Sequence, residues 1–246
     1  MKPKHRQGLS AFLLALIAVL IAAPAAAAGP CAPCLAFDRL DKQIRDGALA
    51  KTEGRRQFAA RLADLDAFLG GETGTPGGRP WVFPLRGYTM AVSGPDAGSG
   101  YITRGYDYFD GNRHGGHPSV DLFIRDRDQD CLDDLTGEPV TVLSMTGGIV
   151  VAAEPAWAAA SPLRGGKYLW IYDPTERLLI YYAHNRDLLV GVGDRVAPGT
   201  PIATVGRSGH NAAKGRSPTH LHLTVLAVRN GLPQPDDIGP RLRALP

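Results

Sequence analysis

A chain of 246 residues, 44% hydrophobic and 21% charged, is long enough for one sizeable domain plus a small extra element. Its formal charge of +3 is accounted for by Lys2, Lys4 and Arg6 near the N-terminus. No basic stripe interleaved with aromatics remains elsewhere, which argues against a nucleic-acid partner. With 30 Gly and 20 Pro, the chain favours turns and short strands over long helices.

The three N-terminal cations precede an apolar run from Leu9 to Ala23 and an Ala-rich stretch ending near Ala28. This is the layout of a secretory signal, so residues 1–28 are expected to be removed. The apolar run is short for a bilayer span, which needs about 20 residues. No other stretch is apolar enough to span, so no membrane attachment is expected after cleavage. The expected location is periplasmic or extracellular. Cys31, Cys34 and Cys131 would then meet an oxidising compartment. The Cys-x-x-Cys pair could serve redox chemistry or half a zinc site. It lies at the mature terminus without strand–helix context, so a local disulfide or terminus tie-down is the expectation.

Residues 29–79 read as a helical segment followed by a Gly-rich linker. Phe37, Leu40 and Ile44 recur at helical spacing, as do Phe58, Leu62, Leu65 and Leu69. Gly47 and Gly54 are expected to break the segment into two helices. These apolar stripes require packing against the rest of the chain, because two short helices bury little alone. The run from Gly70 to Gly78 has linker composition.

Residues 80–246 change character. Val120 to Ile124, Val140 to Leu143, Gly148 to Ala152, Tyr168 to Tyr172, Leu178 to Ala183, Ile202 to Val205 and His220 to Val228 read as strands between turn residues. The spacing leaves no room for crossover helices. The sheets are therefore expected to be mainly antiparallel, in a single β-rich domain.

Six histidines follow the signal. His220-Leu-His222 lies on an expected strand, where alternation points both imidazoles to one face. His117-Pro-Ser-Val-Asp121 adds an imidazole and a carboxylate, with Asp121 at a strand start and His117 on the loop before it. Zinc takes imidazole nitrogen and carboxylate oxygen, and catalytic sites use three protein ligands with one open position. A His, Asp, His set meets that count. Further imidazoles could move protons or stabilise developing charge.

With these residues stand Tyr182-Ala183-His184, the turn from Gly193-Asp194 through Val196 to Gly199, and Pro218-Thr219-His220-Leu221-His222. In this order, from about Phe83 to Val228, the sequence resembles the lysostaphin-type, or LytM-like, zinc endopeptidases of peptidoglycan. The resemblance implies a mainly β, antiparallel, sandwich-like domain with its site in a groove. It implies one Zn2+ per chain held by His117, Asp121 and His222. His184 and His220 would be the general base and transition-state stabiliser, and peptidoglycan stem peptides the substrate. Some relatives lack ligands and activate other wall hydrolases, which makes a binding protein of that kind the alternative. A lipoyl-like carrier module fits poorly, because Lys167 and Lys214 lack the surrounding motif. Ser119 stands where the family usually has Gly, so the approach to His117 is expected to differ. His114 and His210 match no family ligand and are expected in solvent or behind the ligands.

The segment from Asp126 to Glu138 carries six carboxylates. Asp126, Asp128 and Asp130 alternate as in calcium loops. Cys131 and Gly137 then stand where such loops need Gly and a bidentate Glu. A solvated loop at the groove rim is the expectation, with Ca2+ binding or a part in orienting charged stem peptides as alternatives.

Overall fold

The computed structural model describes residues 31–70, 80–94 and 96–246. The expected signal at 1–28 and most of the Gly-rich linker lie outside them. Among the described residues no helix is long and apolar enough to cross a membrane.

Helix α1 (Ala32–Arg45) starts at Cys31, whose Sγ accepts the Cys34 N–H at 3.1 Å and which is disulfide-bonded to Cys34. The pair is thus a local tie at a helix start, and Cys131 is free. α1 ends where Gly47 takes φ +69°, a left-handed conformation that favours glycine. Helix α2 (Lys51–Phe68) follows. Gly54 does not break it, contrary to expectation. It is a close-packing position inside α2, where a Cβ would come 3.2 Å from the Phe109 ring and 3.6 Å from Ile44.

Nine strands are found among the described residues, and every pairing is antiparallel. They are β1 (Ser119–Phe123), β2 (Thr141–Leu143), β3 (Gly148–Glu154), β4 (Lys167–Asp173), β5 (Leu178–Leu188), β6 (Arg195–Val196), β7 (Pro201–Val205), β8 (His220–Arg229) and β9 (Leu232–Pro235). The main order is β1-β8-β5-β4-β3-β6. The far half of β5 leaves this sheet to pair with β7, which pairs with β2. The layers of the expected sandwich-like domain therefore belong to one continuous open sheet, because β5 runs through both.

Side-chain alternation divides the molecule into two cores. One holds Val120, Leu122, Leu169, Ile171, Ile180, Tyr182, Leu221 and Leu223 against Val142, Ile202 and Val205 of the β2–β7 layer. The other lies on the opposite face, where Ile149, Val151, Trp170, Tyr172, Leu179 and Leu226 meet Phe37, Leu40, Ile44, Phe58, Leu62 and Leu65 of the helices. The helical segment is thus docked on the β domain.

Two strands and two short helices carried no sequence signal. β6 is only two residues long. β9 contains Pro233 and Pro235, which suit an edge strand and mask its pattern. The 3₁₀ turn at Tyr108–Arg113 and helix α3 (Gly239–Arg243) are too short for periodicity.

Candidate metal centre

β1 and β8 pair so that Asp121 lies opposite His222 and Phe123 opposite His220. Leu221 and Leu223 face the closed core, so His220 and His222 emerge on the other face beside Asp121. His117 is placed by the loop before β1, through reciprocal backbone hydrogen bonds between Ile102 and His117 at 2.8 and 2.6 Å.

His184 reaches the same face by a different route. Strict alternation along β5 would put it on the side of Tyr182, in the closed core. Its φ of +66° and the neighbouring register shifts reverse that alternation. A non-glycine residue in this region carries roughly 1–3 kcal/mol of strain. Buried Asn185 braces the kink, donating to the carbonyls of Lys167 at 3.1 Å and Tyr182 at 2.9 Å. Gly209 leaves room for the imidazole, since a Cβ there would come 2.7 Å from His184 Nδ1.

The five residues expected at the site therefore converge. Asp121 lies 3.3 Å from His117 Nε2, 3.0 Å from His222 Nδ1 and 3.8 Å from His220 Nε2. Ring centroids are 4.9 Å apart for His117–His222 and for His184–His220. His117, Asp121 and His222 offer ligand atoms all within 4.8 Å of one another, and so do His184, His220 and His222. We favour the first set for a dication, because it includes the carboxylate; three imidazoles alone would leave Asp121 unligated beside the ion.

The outward nitrogens support this choice. His117 Nδ1 lies 3.1 Å from the Gly100 carbonyl, and His222 Nε2 lies 2.9 Å from Ser119 Oγ. Metal-binding imidazoles normally carry such a partner on the other nitrogen. Ser119 also bonds Thr224 at 2.6 Å, so the departure from the usual Gly supplies a support for His222. His184 and His220 bond carbonyls through Nδ1, to Ser208 and Pro218, each at 2.8 Å. Their Nε2 atoms are left for the cavity.

Electrostatics separates these roles. Burial pushes the His184 imidazole well below its usual range, assisted by His220 and His222. Burial also lowers His220. Both are therefore neutral bases near pH 7. His117 is raised by its bond to Asp121. Burial alone would raise Asp121, but the neighbouring imidazoles outweigh it and hold the carboxyl well below the ordinary range.

A pocket of about 290 Å³ opens from these groups. His114 lines it, stacked edge-on against Tyr106 at 4.8 Å. His210 is exposed, as expected. Sequence reasoning missed Asp41, Arg164 and Tyr181, which also line the pocket. Only Tyr181 had a local signal, as the residue that shares a strand face with Ala183 just ahead of His184.

The acidic loop braces the site. Buried Asp126 accepts from the backbone of Asp130 and Cys131 and from Thr219, the residue before His220. Asp133 is buried as well, bonded to Tyr88 and Arg125. The loop is thus only partly solvated. The alternate set Asp126, Asp128, Asp130 does not form one oxygen shell. Asp134, not Asp130, approaches the other two, while Asp130 accepts the Leu132 N–H. Carboxylates already committed to backbone donors give calcium no support.

A family model described as Peptidase family M23 matches residues 133–234. That stretch is less than half of the chain, which is similar to family M23 there. The match contains His184, His220 and His222, while His117, Asp121 and both docked helices precede it. The chain is similar in structure to the catalytic domain of the antimicrobial peptidase lysostaphin from Staphylococcus simulans. Identity there is 22% over 54% of this chain and 83% of that one, with a TM-score of 0.37. It is also similar to a putative glycyl-glycine endopeptidase lytM from Ruminococcus gnavus, at 21% identity over 78% and 70%, TM-score 0.43. A zinc-containing peptidase from Vibrio cholerae matches at 21% over 63% and 38%, TM-score 0.38. No curated protein matches the chain.

Proposed function

We propose that the chain is a zinc-dependent endopeptidase that hydrolyses peptide cross-links of bacterial peptidoglycan. The observation that carries this reading is the convergence of His117, Asp121 and His222 with the free Nε2 atoms of His184 and His220 at one pocket. The residues fit zinc in type and number. When bound, the ion supplies Lewis acidity and lowers the pKa of water.

The chain's own residues do the rest. Asp121 provides the anionic ligand between His117 and His222. Neutral His184 and His220 face the pocket through Nε2. Each carries its proton on Nδ1, so its Nε2 lone pair can take a proton from attacking water. The imidazolium so formed can donate that Nε2–H to the charge developing on the carbonyl oxygen or to the leaving amine. Their Nδ1–carbonyl bonds fix each ring's orientation and tautomer. The N-terminal charge and apolar pattern, with the Cys31–Cys34 disulfide, supports export to the periplasm or beyond.

The test is mass spectrometry of muropeptides released from purified peptidoglycan by the mature protein. Cross-linked species should fall and un-cross-linked ones rise. An intact wall, with zinc bound, would instead favour the binding protein that activates other hydrolases.

A further inference from the structure

The pocket does not end at the imidazoles. It continues beneath α1 to a closed end that the matched M23 stretch does not complete, because Asp41, Ile44 and Tyr106 precede that stretch. Asp41 is only 4% exposed. It accepts hydrogen bonds from the Tyr108 hydroxyl at 2.9 Å and the Tyr168 hydroxyl at 2.7 Å. The Tyr168 ring lies 5.1 Å from the Tyr181 ring, which lies 6.2 Å from the His222 ring. A row of aromatic rings thus connects the buried carboxylate to the candidate metal centre. Gly165 leaves space for this row, since any Cβ there would collide with the Tyr181 hydroxyl.

Two features of this end call for a ligand. The hydroxyls of Tyr106 and Tyr181 border the pocket and have no hydrogen-bond partner among the described residues. Asp41 also makes no ion pair among the described residues, although the Arg164 guanidinium lines the same pocket. Arg45 is held by Glu154 at 2.7 Å and Asp46 at 2.8 Å, and Lys42 by Asp38 at 2.8 Å. Arg45 therefore acts on Asp41 only at longer range and through the shared Tyr168 hydroxyl, which leaves the carboxylate without a direct cationic partner. The C-terminal carbonyls of α1 add negative potential nearby. Burial pushes the Asp41 carboxyl up to about 6, against the opposing pull of its two tyrosine bonds and of Arg45.

We propose that the closed end is a specificity subsite for a protonated primary amine on a flexible apolar stem, with Asp41 as counter-charge and Tyr106, Tyr168 and Tyr181 as walls. An ammonium has three donors, which Asp41 and the two unpartnered hydroxyls can receive. Aromatic faces favour both a cation and its methylene stem. The proposal rests on the reading of the site as a wall-peptide hydrolase and narrows its substrate: the preferred stem peptide carries a free amino group near the cut bond.

Two experiments on the full mature chain test it. In the first, n-butylammonium chloride is titrated while tryptophan fluorescence is followed, with 1-butanol and potassium chloride as controls. Trp170 lines the pocket. A saturable response to the amine alone is expected below about 100 mM, weakened about tenfold or more in Asp41→Asn. No saturation, or an equal response to butanol, overturns the subsite. In the second, muropeptides with free amines are compared with the same pool after N-acetylation. Acetylation should lower kcat/KM about tenfold, mainly through KM. The ratio between pools should collapse toward unity in Asp41→Asn. Tyr181→Phe serves if Asp41→Asn fails to fold, and should shrink the same ratio. Equal cutting of both pools by the wild type overturns the subsite and leaves hydrolysis standing. If neither pool is cut, the hydrolase reading fails, and the fluorescence titration still decides the subsite.

Discussion

The two faces of the main sheet are built from the same strands and do opposite things. One is closed: Val120, Leu122, Leu169, Ile171, Tyr182 and Leu223 lie in a continuous apolar core under the β2–β7 layer. The other is apolar only where α1 and α2 cover it. At its uncovered end stand Asp121, His220, His222 and Tyr181. Along β8, Leu221 and Leu223 anchor the strand while His220 and His222 project between and beside them. The period of two thus lets one strand brace the fold and present ligands at adjacent residues. His184 is the exception, brought to the working face by a strained backbone rather than by alternation.

The comparison is broken most directly by removing working residues without touching the closed face. His184→Ala and His220→Ala should each lower turnover on purified peptidoglycan by about 10²–10⁴-fold while keeping a native circular dichroism spectrum. On the closed face the effect shifts to stability. Leu223→Ala should cost about 2–5 kcal/mol in urea unfolding, against no more than about 1 kcal/mol for partly exposed His117→Ala in metal-free protein.

Asp41 sharpens the contrast through pH. Its folded pKa is about 6, against the ordinary 3.8. The folded state therefore holds this proton more tightly than the unfolded state. The stability it contributes is full below about pH 4 and is lost as pH rises through 6, on the order of 2–3 kcal/mol. Asp41→Asn should lack that slope, as read from the difference between the two stability–pH curves. The smallest effect concerns the kink. His184→Gly should be about 1 kcal/mol more stable than His184→Ala, because glycine relieves the left-handed strain. Equal melting curves would show that φ +66° carries no penalty.

Much of this was legible because period-two alternation and metal-ligand spacing are local patterns. The seven expected strands all formed, with ends moved by a few residues. His117, Asp121, His184, His220 and His222 meet at one place, although 105 positions separate the first and last. The closed end of the pocket was not legible. Asp41 sits on a helix whose apolar stripe announced packing, and nothing local tells that Tyr168 lies 127 positions away within hydrogen-bonding distance. Gly54 was misread for a related reason. Its close approach to Phe109 is a tertiary fact, so the residue looked like a breaker. The acidic loop suggested a cation from spacing alone, whereas its carboxylates were needed for backbone donors and for the bond to Thr219.

The central claim is that one face of the sheet holds a dication through His117, Asp121 and His222. Elemental mass spectrometry of protein purified without added metal tests it most directly, comparing the wild type with Asp121→Ala and His184→Ala. The account predicts one zinc per chain in the wild type and in His184→Ala, and little in Asp121→Ala. Full zinc occupancy in Asp121→Ala, with loss in His184→Ala, would contradict it and assign the ion to the three imidazoles instead.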